Sequence, residues 1–478
     1  MKKVLASVLA VALAAGSTVV GVSAQTSPMG DVSLDGQVSI KDATTIQKAC
    51  ASLIELTGNQ RKRADIDQNE KVNISDATAL QRSLVGQFEM PDLPADPLSD
   101  ENVQKAGDNA MADFSLKLLK SSRQKDQNVL VSPLSVMSAL GMAQTGARGK
   151  TLSQMEQTLG ISRDTLNRYC KNYINNTNVS DNPFMESSKF SIANSAWVNS
   201  SLPSLTLNSD YTNTIKENYN ASIEKLPFDS NAVQKINGWV NDNTDGMIPS
   251  VIDDIDPDSM MCLVNALAFD GKWARQFDQR WDVREDKFTN ADSTKSDVEY
   301  LTSEENHYIK DTNAAGFYKY FSDYHYAFAA IVPDAGVTLK TYLDSLTGTK
   351  LRSLLKYAKN EPVDIELPKF KLDYSVLLKE PLQDMGITNA FSPQKADFSN
   401  MVTGAVYKPF ISRVIHKTAI DVNEAGTKAA AVTAIIVEPG AAPEIIEPHK
   451  VYLNRPFLYM LIDTDTYTPF FIGAVDKL

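Results

Sequence analysis

Glu424-Ala425-Gly426-Thr427-Lys428-Ala429-Ala430-Ala431-Val432-Thr433-Ala434-Ile435-Ile436-Val437 reads as a loop able to become a strand. Gly426 interrupts whatever precedes it, small residues follow, and β-branched residues then run on without a proline until Pro439. At a period of two, Thr427, Ala429, Ala431 and Thr433 share one face, all small and uncharged, while Lys428 falls on the other. A segment that slides between two existing strands needs such a face, because a large or charged inward side chain would be buried without a partner. An ordinary strand running into a proline-rich loop has the same local pattern, so the decision between them falls to the rest of the chain.

With 478 residues the chain exceeds one ordinary domain and can bury a large core. Its hydrophobic share of 43% and charged share of 22% are those of a soluble globular protein. A net charge of −12 without a basic cluster argues against a nucleic-acid partner. Cys50, Cys170 and Cys262 are few, odd in number and far apart, so they imply no disulfide framework.

Lys2-Lys3, an apolar run from Val4 to Ala15 and then Val22-Ser23-Ala24 form a secretory signal peptide, 1–24, with cleavage expected after Ala24. The apolar run is too short, and too interrupted by glycine and serine, for a transmembrane anchor. No later segment is long and apolar enough to span a bilayer, so no membrane partner is expected. The mature protein is read as secreted and, having so few cysteines, as bacterial rather than animal.

Residues 31–56 and 65–90 repeat with an offset of 34 residues. Asp31, Ser33, Asp35, Gln37, Ser39 and Asp42 align with Asp65, Asp67, Asn69, Lys71, Asn73 and Asp76, at loop positions one, three, five, seven, nine and twelve. A hard cation such as calcium needs six or more oxygens, and this spacing curls them around one point; position seven gives its backbone carbonyl, so Gln37 and Lys71 need no particular side chain. Gly36 supplies the sharp turn of the first loop, whereas Glu70 stands at that place in the second. Two calcium ions are therefore expected. The period also suits a tetratricopeptide array, but two copies are too few and the acidic loops do not fit one. Ile46, Ala49, Cys50, Leu53 and Ile54 form an apolar stripe on the helix after the first loop, and Ala77, Leu80, Leu84 and Val85 on the helix after the second.

After signal cleavage only Gln25 to Gly30 would precede Asp31, which leaves no room for the first helix of an EF-hand. Tandem loop–helix units without that helix resemble a dockerin; the resemblance covers roughly residues 29–88 and implies a small all-α dockerin module at 25–88. It implies a cohesin on a scaffold protein as partner, contacted through Ile40, Lys41, Gln47 and Lys48 and, in the mirrored repeat, Ile74, Ser75, Gln81 and Arg82. The near-symmetry permits two binding orientations. Pro91, Pro94 and Pro97 among acidic residues mark 89–99 as a stiff, extended linker.

From residue 100 to 478, helical periodicity dominates early (Asn109–Leu119, Ser135–Ala143) and strand-like runs dominate late (Tyr326–Val332, Val363–Leu367, Phe457–Ile462). That order predicts one large α+β domain on mostly antiparallel sheets. Asn128-Val129-Leu130-Val131-Ser132-Pro133-Leu134-Ser135, Gly146-Ala147-Arg148-Gly149-Lys150-Thr151, Asn194-Ser195-Ala196-Trp197-Val198 and Leu263 to Trp273 resemble the serpin family. Leu367-Pro368-Lys369-Phe370, His416-Lys417, Asn454-Arg455-Pro456-Phe457 and Phe471-Ile472-Gly473 complete the match in the family's order, so it spans the whole domain. The resemblance implies a serpin fold: a large central sheet, further sheets, about nine helices and an exposed reactive loop.

It also implies a secreted, scaffold-tethered suicide inhibitor of proteases, associated with a cellulosome-type complex. The loop is offered as bait, cleaved, and inserted into the central sheet while the protease is still covalently attached. Glu424, Gly426, Thr427, Ala429, Ala431 and Thr433 fall at the hinge of that loop. About fourteen residues from Thr427 to Gly440, at ~3.3 Å each, allow a throw of roughly 45 Å. Counting from the hinge puts the scissile bond at Gly440-Ala441; counting back from Pro456 puts it after Ala441 or Ala442. These small residues suit subtilisin- or elastase-like endopeptidases, and no Arg or Lys between Lys428 and Lys450 invites a trypsin-like one. By the same resemblance Ser132, Asn194 and His416 form the shutter beneath the opening strands, and Trp197 marks the breach where the loop first enters.

An enzyme is the first rival reading. The four histidines, His307, His325, His416 and His449, sit in no H-E-x-x-H, and the chain lacks G-x-S-x-G and C-x-x-C. Gly149-Lys150-Thr151 ends like a phosphate loop, but Gln144 stands where its first glycine belongs. Inhibition of papain-like cysteine proteases and a non-inhibitory serpin used as a binding protein are the remaining alternatives. Non-inhibitory members carry bulky, charged or proline residues in the hinge, and Ala429 to Val437 holds none.

Overall fold

In the computed structural model the described residues are 29–33, 38–51, 53–54, 56, 58–67, 71–87, 99–176, 188–202, 205–403, 408–427 and 447–478. The signal peptide, most of the linker, the loop ligands Asp35, Gln37 and Asn69, and the loop residues Ala429, Ala431, Thr433, Gly440, Ala441 and Ala442 lie outside them. The chain divides into two compact units, Met1–Ser99 and Asp100–Leu478.

In the smaller unit, helices Ile40–Cys50 and Ile74–Leu84 pack against each other. Each begins with a capping box. Ser39 and Asn73 cap the free N–H groups, and Asp42 and Asp76 reach back to the cap N–H. Such a cap is worth about 1 kcal/mol. The core consists of Val32, Ala43, Ile46, Ala64, Ile66, Ala77 and Leu80, all fully buried. The expected stripes overshoot it, since Leu53 and Ile54 lie beyond the first helix and are exposed, as are Leu84 and Val85. A further difference is the short helix Gly58–Ala64 immediately ahead of the second loop. It buries Ala64 and carries no apolar stripe by which the sequence would announce it.

The larger unit holds nine α-helices among the described residues, from Asp100–Ser122 to Lys379–Asp384. Its largest sheet has nine strands. Tyr326–Pro333, Phe457–Asp463 and Thr468–Val475 run through the middle of that sheet and are buried at every residue. Continuous apolar runs are what a sheet covered on both faces requires. His449–Tyr452, where the chain returns from the loop, pairs in parallel with Lys359–Pro368 at the end of this sheet.

The expected central sheet exists in two halves. Ser222–Leu226, Lys189–Asn199 and Met261–Asp270 form one, and Phe370–Leu377 with Ile415–Val422 forms the other. Among the described residues they meet through one bridge, Lys272 to Gly426. At the other end a cavity of about 440 Å³ separates them, lined by Met261 to Asn265 on one side and Val414 to His416 on the other. Both flanking strands therefore run from the cavity toward the bridge, in the same direction. A strand starting at Thr427 and doubling back would lie antiparallel to both neighbours.

Candidate functional site

The bridge end of the gap is tight. Asn423 closes a turn on itself: its N–H donates to the Gly426 carbonyl at 3.1 Å, and its Oδ1 accepts from Ala425 N at 3.0 Å and Gly426 N at 3.3 Å. The turn is then laced to the facing strand. Thr427 N donates to Gly271 O, Trp273 N to Ala425 O and Phe277 N to Glu424 O, at 2.9, 2.9 and 3.0 Å. Gly426 is needed here for close approach, since a Cβ at that position would stand 2.0 Å from the Gly271 carbonyl oxygen. Thr427 is buried, as its place on the clean face anticipates. Glu424 pairs with Lys369 at 2.8 Å, and Lys369 also holds Glu299 at 2.9 Å. Burial pushes the Glu424 carboxyl up, but the Lys369 ammonium outweighs it and holds the group below the usual range.

Trp273 lies under this turn, 1% exposed. Its indole Nε1–H donates to Asn423 O at 2.9 Å, and its ring stacks on Phe321 with centroids 4.9 Å apart. The buried Lys319 ammonium sits 4.7 Å from the Phe277 ring and pairs with Glu305 at 2.6 Å.

The assignment of Trp197 to the breach is corrected by this geometry. Trp197 pairs in register with Cys262, nine residues before Gly271, which at ~3.3 Å per residue places it roughly 30 Å from the hinge. It packs edge-on against Trp239 of helix Ser230–Asn243, and its indole donates to Ser195 Oγ at 2.8 Å. The tryptophan at the hinge is Trp273.

At the cavity end, Ser132 N–H donates to His416 Nε2 at 2.9 Å, and Ser132 Oγ donates to Phe470 O at 2.8 Å. An accepting Nε2 requires the neutral imidazole with its proton on Nδ1. Burial pushes this histidine down from the usual 6.5 to about 4. Asn194 is one step removed. Its Nδ2 donates to Tyr219 O at 2.8 Å and its Oδ1 accepts from Asn265 Nδ2 at 2.7 Å. Asn265 lines the cavity, and its own Oδ1 is buried without a partner among the described residues. The structure thus brings Ser132 and His416 into contact and links Asn194 to the cavity through Asn265.

In the smaller unit, Asp31, Asp42 and Asp76 are fully buried carboxylates, while Ser33 and Lys71 are exposed. Asp42 accepts from Ser33 N at 2.7 Å and Ser39 N at 2.9 Å; burial pushes it up, and these hydrogen bonds outweigh that and hold it low. Carboxylate oxygens of Asp65, Asp67 and Asp76 converge within 4.8 Å of one another. Three negative groups so close fit a hard divalent cation. Ile40 and Ile74 stand 58% exposed at the helix starts, with Lys41, Lys48, Ser75 and Arg82 exposed and Gln47 and Gln81 half-buried along the same helices.

Residues 109–478 match the family model "Serpin (serine protease inhibitor)". The chain is a serpin. Residues 29–85 match the dockerin type I domain, a calcium-binding module whose implied partner is a cohesin. Iripin-8 of Ixodes ricinus is 32% identical over 379 residues, covering 76% of this chain and 91% of its own. The thermophilic serpin tengpin in its native state is 40% identical with a TM-score of 0.71, over 80% of this chain and 95% of tengpin. Tengpin in its latent state scores 0.67 at 39% identity, over 80% and 99%. Serpins inhibit proteases and are not themselves enzymes, as the absence of catalytic motifs suggested. No helix of this serpin's described residues is long and apolar enough to cross a membrane. Trp273, Asn265, Lys369 and Asn423 are the site residues that sequence reasoning passed over as functional.

Proposed function

We propose that this serpin is a secreted suicide inhibitor of subtilisin- or elastase-like endopeptidases, tethered through its dockerin to an extracellular scaffold. The observation that carries this reading is the split sheet: two strands run the same way past a gap, and the loop begins, with Thr427 buried, at the closed end of it. The ten residues of Met261–Asp270 offer an edge of roughly 33 Å, which Thr427 to Ile436 match one for one.

In the reaction the protease's serine oxygen attacks the carbonyl of Gly440, with Ala441 or Ala442 as the alternatives. An ester forms, the peptide bond breaks, and the following residue leaves with its new amino group. Hydrolysis of that ester needs the protease's intact active site. Insertion of the freed arm pulls on the ester and distorts that site before water acts. Adding a strand, with Ala429, Ala431 and Thr433 following Thr427 on the inward face, releases the energy. The buried Ser132–His416 contact and the Asn194–Asn265 pair are the groups that must part to admit it. Gly426 and Glu424 hold the hinge until then.

For the tether, Asp31, Ser33, Asp35, Asp42 and the Gln37 carbonyl would hold one calcium, and Asp65, Asp67, Asn69, Asp76 and the Lys71 carbonyl a second. The ions would hold each loop closed, so that Ile40, Lys41, Gln47 and Lys48, or Ile74, Ser75, Gln81 and Arg82, meet a cohesin. A panel of subtilisin, elastase and papain tests the inhibitory half. An SDS-stable complex, with mass spectrometry showing cleavage at 440–442, is expected with the first two. Cleavage there with neither a complex nor a gain in thermal stability contradicts inhibition and favours a binding protein. A complex with papain alone moves the target to cysteine proteases. Cohesin binding is expected to vanish in chelator; binding that survives Asp31→Ala with Asp65→Ala refutes the calcium reading.

A further inference from the structure

Two turns at one end of the nine-stranded sheet bring together a histidine and two carboxylates that neither the hinge nor the shutter uses. His325 immediately precedes strand Tyr326–Pro333, and Asp463 and Asp465 lie where strand Phe457–Asp463 turns toward Thr468–Val475. The ladder sets these turns side by side, since Asp463 pairs in register with Tyr326. They are also bonded to each other: Thr464 N and Thr464 Oγ1 both donate to His325 O, at 3.0 and 2.8 Å. Within each turn an aspartate ties down the backbone. Asp323 Oδ1 accepts from His325 N and Tyr326 N at 3.0 and 3.1 Å, and Asp463 Oδ1 from Asp465 N and Thr466 N at 2.9 and 3.1 Å.

On this fixed backbone the side chains converge. One ring nitrogen of His325 and one oxygen from each of Asp463 and Asp465 lie within 4.8 Å of one another. Nδ1 stands 3.2 Å from Asp465 Oδ2, and Nε2 stands 3.9 Å from Asp463 Oδ2. Two ligands on a tetrahedral zinc with bonds of ~2.0 Å are ~3.3 Å apart, so the first pair is already at ligand spacing. The Asp465 side chain is 77% exposed and can swing to complete the set. The Asp463 side chain, by contrast, is only 8% exposed, and its Oδ2 accepts no hydrogen bond among the described residues. No lysine or arginine among the described residues pairs with either carboxylate; both face the one imidazole. A buried carboxylate oxygen without a donor is costly, and a cation relieves that cost.

The donor set selects the ion. Calcium and magnesium take sites built from oxygen alone, whereas imidazole together with carboxylate suits zinc and its neighbours, with the fourth position left to water. We propose that His325, Asp463 and Asp465 form a binding site for a first-row transition metal ion, zinc foremost, which staples the two turns together. The staple would stabilise the body of the serpin by mass action, whatever protease the loop meets.

The test dialyses the full chain against zinc with calcium in excess, so that sites built from oxygen alone are filled by calcium. One zinc per chain is expected in the serpin body, raising the midpoint of thermal unfolding by about 2 °C or more at saturation. His325→Ala and Asp465→Ala are each expected to weaken zinc binding by about tenfold or more and to abolish the thermal shift. Should His325→Ala fail to fold, the exposed Asp465 decides the matter alone. Zinc binding and a thermal shift that survive in a folded variant overturn the site, because the ion would then sit elsewhere. A wild type that binds no zinc once calcium is in excess overturns it too, and leaves the inhibitory reading untouched.

Discussion

The two ends of the gap in the central sheet are built on opposite principles. At the bridge end, three backbone hydrogen bonds, a glycine without room for a Cβ and a fully buried tryptophan hold the loop's first residues against the facing strand. At the cavity end, about 440 Å³ lies open beside a neutral histidine and an asparagine whose carbonyl oxygen has no described partner. On the proposed mechanism, insertion would begin where contacts already exist and proceed into space already made. The closed end would set where the new strand starts, and the open end would give it somewhere to go.

Substitutions at the closed end should have the largest effects. Thr427→Arg puts a charge on the buried face and should turn the inhibitor into a substrate, raising the inhibitor consumed per protease by more than about tenfold in an active-site titration. An unchanged titration means that Thr427 does not enter the sheet. Gly426→Val drives a Cβ into the Gly271 carbonyl and should cost about 1–3 kcal/mol of native stability in urea unfolding. No loss would mean that the bridge is not a constraint.

At the open end the effect is set by pH. Unfolded, His416 takes a proton near 6.5; folded, it resists until about 4. Stability should therefore be full above pH 6.5 and fall on acidification toward pH 4, by up to roughly 3 kcal/mol. His416→Gln should flatten that part of the profile, and an unchanged slope would assign the acid sensitivity elsewhere. The smallest effect expected is that of Glu424→Gln. Its partner Lys369 keeps a second carboxylate, Glu299, so a loss of about 1 kcal/mol or less is anticipated in the same unfolding assay.

The pattern of the proposed hinge is legible in the sequence because strand periodicity and small residues are local signals, and Thr427, its one described small residue on the inward face, is buried. The breach was not. Trp197 and Trp273 both end apolar, strand-like runs, and only the ladder register separates the one beneath helix Ser230–Asn243 from the one beneath the hinge. Asn265 gave no warning either, since a single asparagine in an apolar strand looks the same whether it faces a helix, solvent or a void. In the smaller unit the loops announced themselves by spacing, whereas the first helix stops at Cys50 with no glycine or proline directly after it. Helix Gly58–Ala64 is mostly polar and basic, so no apolar stripe marks it in the sequence.

Amide hydrogen exchange of Met261–Asp270 and Ile415–Val422, measured before and after cleavage at residues 440–442, tests the account most directly. Both strands should become markedly slower to exchange after cleavage, together with the residues from Thr427 to Ile436, as a new strand pairs with each edge. Exchange along the two edges that stays as fast in the cleaved protein as in the intact one would contradict insertion.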